Sequence, residues 1–244
     1  MDNGFCGGVV DSRGDRAFIP TSADAICAVD LADGVILWKR SQVGRPIAAD
    51  ETRLALLDRE GANYFVRVLD AASGADCARM AGLGMPDWAQ SAGFAKDALS
   101  LDVDAGAEAH QFKLSWTMRR PYRGGAAPSA TVQAEAARVE RGAALLDLQN
   151  GTIRAASPAL TPRAPSPGAP PSPVADRDTL ATQDLEDRRF VLRVEQDSGN
   201  HPVLTLEATR SDAGSRLWKT DLEMLAVGST KPAPLRPGPP RLRG

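Results

Sequence analysis

Short apolar runs, each closed by a turn signal, recur along the chain. Gly7–Val10 and Ala17–Thr21 flank a turn-rich DSRGD cluster. In Ala25–Leu31 both faces are apolar or small, with Ile26 and Ala28 on one and Cys27, Val29 and Leu31 on the other. A strand buried on both sides has this near-continuous look. Asp33-Gly34 supplies a tight turn, since Gly tolerates the positive φ such turns need, and Val35–Arg40 is the return strand. The pattern then repeats. Thr52–Leu57 and Tyr64–Leu69 read as strands, followed by a second Asp-x-x-x-Gly turn from Asp70 to Gly74. A third copy is Ala98–Val103 with Asp102 and Gly106, and a fourth is Ala143–Leu148 with Asp147 and Gly151. The fifth is Val203–Thr209 with Gly214, where Arg210 takes the Asp position. Trp falls four residues after the Gly in the first and fifth copies (Trp38, Trp218), while Ala78, His110 and Ala155 stand there in the others. Between copies, Phe112, Leu114, Trp116 and Met118 alternate and so line the core face of one strand. Ser129–Val139 has the propensity for a short helix, or for an outer strand over Val132–Val139.

The turn glycines lie at 34, 74, 106, 151 and 214, in steps of 40, 32, 45 and 63 residues. A period near 40 residues built of short strands is the signature of a β-propeller, one four-stranded blade per repeat. The long last step contains Ser157–Val174 (SPALTPRAPSPGAPPSPV), whose prolines cannot join a sheet ladder. The expected fold is all-β: a propeller of about five to six four-stranded antiparallel blades with a proline-rich insertion. Its ring is small, incomplete, or closed by pairing with another chain. Residues 1–228 form the propeller domain, 157–174 an extended inter-blade loop, and 229–244 a flexible basic tail.

Composition adds exclusions. Hydrophobic residues make up 43% of the 244, a globular proportion. The 29 basic and 31 acidic residues leave a net charge of −2, which gives no global pull toward nucleic acid or an anionic membrane. No apolar run approaches the ~20 residues of a membrane-spanning helix. Three cysteines, Cys6, Cys27 and Cys77, with no C-x-x-C, describe neither a disulfide framework nor a zinc site. They are expected to be buried apolar thiols. MDNGFCGGVVDSRGD lacks a basic start and an apolar core, so the chain as it stands is expected in the cytoplasm, or in the periplasm if a leader precedes it. The abundance of Ala, Arg, Gly and Pro suggests a GC-rich bacterial source.

The residues AVDLADGVILWKR resemble the repeat of the quinoprotein-type, or PQQ-like, β-propellers. VRVLDAASGADCARM, ALLDLQNGTIRAAS and EATRSDAGSRLWKTDL look like degraded copies, and the resemblance covers about half the chain. It implies structural roles for Asp30, Gly34, Trp38, Asp70, Gly74, Asp147, Gly151, Gly214 and Trp218: turn, hairpin closure and packing between blades. Members of that family range from quinone-dependent dehydrogenases to non-catalytic scaffolds of outer-membrane protein assembly.

Candidate chemistry is sparse. The enzymatic members hold quinone and Ca²⁺ in a central funnel, often beside a disulfide of adjacent cysteines, and this chain has no adjacent Cys pair. Asp102-Val-Asp104 is a lone D-x-D, expected in a solvated turn, where Ca²⁺ asks for 6–8 oxygens. Two histidines, His110 and His201, are few for a metal site or a triad, and His201 before Pro202 reads as a turn. H-E-x-x-H, G-x-S-x-G and Gly-Lys are all missing from the sequence. The strongest candidate for interaction is the basic, aromatic-bearing loop of Lys113, Arg119, Arg120, Tyr122 and Arg123, suited to a phosphate, a carboxylate or an acidic protein patch. The function expected is therefore a non-catalytic scaffold binding a protein or small ligand, with no catalytic, cofactor or metal residues assigned. The alternatives are a quinone- and Ca²⁺-dependent dehydrogenase-like protein and a diverged fragment without activity of its own.

Overall fold

The computed structural model of the chain describes residues 8–22, 25–41, 44–60, 63–83, 99–108, 110–119, 139–156, 179–212 and 214–224. Among them, every regular element is a strand. The first sheet comprises β1 (Val9–Val10), β2 (Arg16–Ser22), β3 (Ala25–Asp30) and β4 (Ile36–Ser41). The second comprises β5 (Arg45–Ala49), β6 (Arg53–Glu60), β7 (Asn63–Asp70) and β8 (Asp76–Gly82). The third holds β9 (Leu99–Ala105), β10 (Gln111–Arg119), β11 (Val139–Asp147) and β12 (Thr152–Ala156). The fourth holds β13 (Thr179–Leu185), β14 (Arg188–Gln196), β15 (Pro202–Arg210) and β16 (Arg216–Met224). Each is an antiparallel meander in which strands pair in chain order.

The sheets stack face to face through three cores. Ile26 and Ala28 of β3 meet Leu54 and Leu56 of the second sheet. Cys27 and Val29, on the opposite face of β3, meet Leu192, Leu204 and Leu206 of the fourth. Val66 and Val68 of the second sheet meet Leu114, Ala144 and Leu146 of the third. The spatial order among the described residues is therefore fourth, first, second, third. This explains why Ala25–Leu31 carries no polar face: it is sandwiched between two neighbours. Sequential four-stranded meanders packed face to face are the blades of a propeller, and the all-β expectation holds.

The repeat count changes. Gly34, Gly74, Gly151 and Gly214 each close the hairpin between the third and fourth strands of a sheet. Gly106 instead lies between β9 and β10, the first hairpin of the third sheet. The expected third and fourth copies thus belong to one blade, and the described residues form four blades. Gly34, Gly74, Gly151 and Gly214 have φ of 80°, 71°, 62° and 63°, whereas Gly106 is not among the positive-φ glycines. An Asp followed four residues later by Gly is too short a signal to separate the two hairpins. Consequently His110 occupies no tryptophan position but ends the β9–β10 connection.

Two further expectations are corrected. Asp102 and Asp104 lie within β9, not in a turn, and both are exposed on one face. Cys27 is buried as expected, but Cys77 is exposed, on the outer strand β8, and both thiols are free. In β10, Leu114 and Trp116 are buried as their alternation requires. Trp116 faces Gly142 across the β10–β11 ladder, and the missing Cβ leaves room for its ring. Cys6, the proline-rich 157–174, the tail 229–244 and residues 129–138 of the expected helix lie outside the described residues.

Candidate functional site

The residues with the most regular geometry sit at the blade joints, and the turns come first. In three of the turns an Asp accepts backbone or side-chain donors ahead of it. Asp30 Oδ1 accepts from the Ala32 amide at 2.7 Å. Asp70 Oδ1 accepts from the Ser73 amide at 2.8 Å and hydroxyl at 2.7 Å. Asp147 accepts from the Asn150 amide and side chain, both at 2.9 Å. The Ser73 hydroxyl and amide hold Asp70 below the usual carboxylate range, and the Asn150 amide and side chain do the same for Asp147. The Gly amide returns to the carbonyl four residues before it at 2.9, 2.8 and 2.9 Å for Gly34, Gly74 and Gly214. At Gly214 that carbonyl belongs to Arg210.

Two of these turns are covered by a tryptophan of the neighbouring blade. A Cβ added at Gly74 would lie 2.9 Å from the Trp38 ring, and one at Gly34 would lie 2.5 Å from the Trp218 ring. Trp38 Nε1 donates to the Ala71 carbonyl at 3.1 Å. Each ring also packs at a tilt against a phenylalanine of its own sheet, Phe18 and Phe190, with centroids 5.9 Å apart in both pairs. The two joints differ in one respect. Arg188 donates to the Leu31 carbonyl at 2.9 Å, the acceptor equivalent to Ala71. Among the described residues Trp218 Nε1 is buried and has no partner.

Polar contacts fasten the same joints. Arg40 bonds the Gly74 carbonyl and lies 2.5 Å from Asp76, Thr220 Oγ1 donates to the Gly34 carbonyl at 2.6 Å, and Lys39 bonds the Leu222 carbonyl. Between the second and third blades the indole is replaced. Ala78 Cβ lies 3.1 Å from the Cβ position of Gly151, and His110 Nδ1 pairs with Asp50 Oδ2 at 2.9 Å. Asp50 is 1% exposed and also takes the Thr52 amide and hydroxyl and the Arg53 amide. Burial pushes its carboxyl up, but the Thr52 amide, the His110 ring and the Arg53 amide together outweigh that and hold it below the usual range. The His110–Asp50 pairing joins residues 60 apart, which no local sequence pattern encodes.

The basic loop expected after Trp116 is reached only at its base. Lys113 lies within β10 and is half-buried; Arg119 is the last residue of that strand. Arg120, Tyr122 and Arg123 lie outside the described residues. His201 closes the β14–β15 turn as expected: its amide donates to Asp197 at 2.8 Å. Among the described residues no three His, Cys, Asp or Glu side chains cluster as metal ligands, and no helix is long and apolar enough to cross a membrane.

No protein-family model matches the chain, and no curated protein matches it. Two solved structures align with most of it. One is BamB from Moraxella catarrhalis, at 15% identity over 87% of this chain and 50% of that one, with a TM-score of 0.31. The other is the quinohemoprotein alcohol dehydrogenase from Comamonas testosteroni, at 13% identity over 91% of this chain and 37% of that one, with a TM-score of 0.35. The chain spans half or less of the length of these two. The blade assignment rests on the chain's own four meanders and their packing.

Proposed function

We propose that this chain is a non-catalytic, PQQ-like β-propeller scaffold that binds a protein partner. The observation that supports it is the use made of the reactive side chains. Asp30, Asp70 and Asp147 close turns, Asp50 and His110 fasten two blades, and Trp38 and Trp218 cover glycine turns. What such an assembly offers is a rigid stack of sheets with exposed turns along its rim.

A quinone titration followed by absorbance, with and without Ca²⁺, tests this reading. The expected result is no saturable uptake. Stoichiometric binding that requires Ca²⁺ would overturn the scaffold in favour of a dehydrogenase-like protein.

A further inference from the structure

The covering of glycine turns by indole runs from the fourth blade to the first and from the first to the second, with alanine in place of indole from the second to the third. The remaining turn is that of the fourth blade, which stands at the open end of the order fourth, first, second, third, with no described blade before it. Among the described residues nothing lies within 4 Å of the Cβ position of Gly214. Gly34 and Gly74 are buried, whereas Gly214 is exposed. Yet the Gly214 turn is built like the covered ones. Its φ is 63°, its amide bonds the residue-210 carbonyl at 2.9 Å, and the Arg210 amide bonds the Ser215 carbonyl at 2.9 Å. The carbonyl of Ser211 stands where Ala71 accepts Trp38.

Charge says what kind of indole fits. Where the covered turns begin with Asp30 and Asp70, this one begins with Arg210, and Arg216 follows on β16. Both arginines are exposed and form no ion pair among the described residues; Asp212 is the turn's one acid in that set. We propose that the Gly214 turn is a docking site for a partner polypeptide presenting a tryptophan flanked by acidic residues. The indole would sit over Gly214 as Trp38 sits over Gly74, with its N–H on the Ser211 carbonyl and the acids on Arg210 and Arg216. This rests on the scaffold reading and names its partner's chemistry.

The test uses the full-length, ¹⁵N-labelled chain and an acetylated, amidated peptide Glu-Asp-Trp-Asp-Glu. Titration is expected to shift the amides of Ser211, Gly214 and Ser215. The same peptide with Ala for Trp is expected to leave them unmoved. Arg210→Glu with Arg216→Glu is expected to weaken binding about tenfold or more without lowering Tm. Gly214→Ala, which places a Cβ in the indole's seat, is expected to abolish it. Equal shifts from the Ala peptide, or shifts mapping to other turns, overturn the proposal. Shifts at Gly214 that grow with protein concentration in the absence of peptide would assign the turn to a second copy and also overturn it. A failure here leaves the quinone titration result intact, so the two readings fail separately.

Discussion

At the scale of single residues, the two glycine-covering tryptophans are equivalent in place and unequal in bonding. Trp38 donates to Ala71 while Trp218, its acceptor taken by Arg188, does not. Replacement by Phe keeps most of the apolar contact and removes only the N–H. Trp38→Phe is therefore expected to cost about 1 kcal/mol more than Trp218→Phe in denaturant unfolding; equal costs would show that the Ala71 bond contributes nothing net. Glycines divide the same way. Gly74→Ala meets both a left-handed backbone and the Trp38 ring, whereas Gly214→Ala meets the backbone alone. The second should cost about 1–2 kcal/mol and the first clearly more, read from paired unfolding curves. The two described thiols separate by environment. Burial pushes Cys27 up to about 11, and Cys77 is exposed beside the Arg53 guanidinium at 2.9 Å. At pH 8 in the folded protein, thiol labelling read by peptide mass is expected at Cys77 and not at Cys27.

At the scale of elements, the joint between the second and third blades depends on a carboxylate. Asp50 holds one strand–strand turn through three donors and reaches the next blade through His110. Its folded value lies below the ordinary one, so its contribution is complete above the unfolded value of about 3.9. That contribution is lost as pH falls through the folded value. Stability should thus decline on the acid side, and Asp50→Asn should lower stability at pH 7 while flattening that decline. Unfolding curves at a series of pH values between 2 and 7 check this; an unchanged acid limb would mean other carboxylates carry it. The strands themselves were legible where apolar runs were continuous, as in β3, β6, β7 and β15. β5 (RPIAA), β8 (DCARMAG) and β13 (TLATQDL) were not, because short strands at the edges of a sheet carry little hydrophobic alternation.

At the scale of the whole molecule, the joint between the first and fourth blades unites the ends of the described chain. It combines a shared apolar core with the bonds of Arg188, Thr220 and Lys39. Because each core is shared by two sheets, no blade has an apolar interior of its own. Trp218→Ala is expected to lower a single thermal transition, by about 4–8 °C for each kcal/mol in a small domain and less in one of this length. Two separate transitions would show that the blades do not share their stability. The sequence alone determined that the chain is built of hairpins closed at Gly34, Gly74, Gly151 and Gly214, because positive φ and tight turns are local demands that single residues answer. The packing of Trp38 and Trp218 at the blade joints was implied only through the resemblance to a known repeat. The sequence did not separate Gly106 from those turns, since a five-residue pattern does not say which hairpin of a meander it closes. Only the tertiary structure decided that the fourth blade lies against the first, that His110 meets Asp50, and that Gly214 alone of the four turns stands uncovered among the described residues. Those are contacts between residues far apart in the chain, and their energies depend on which faces meet in space.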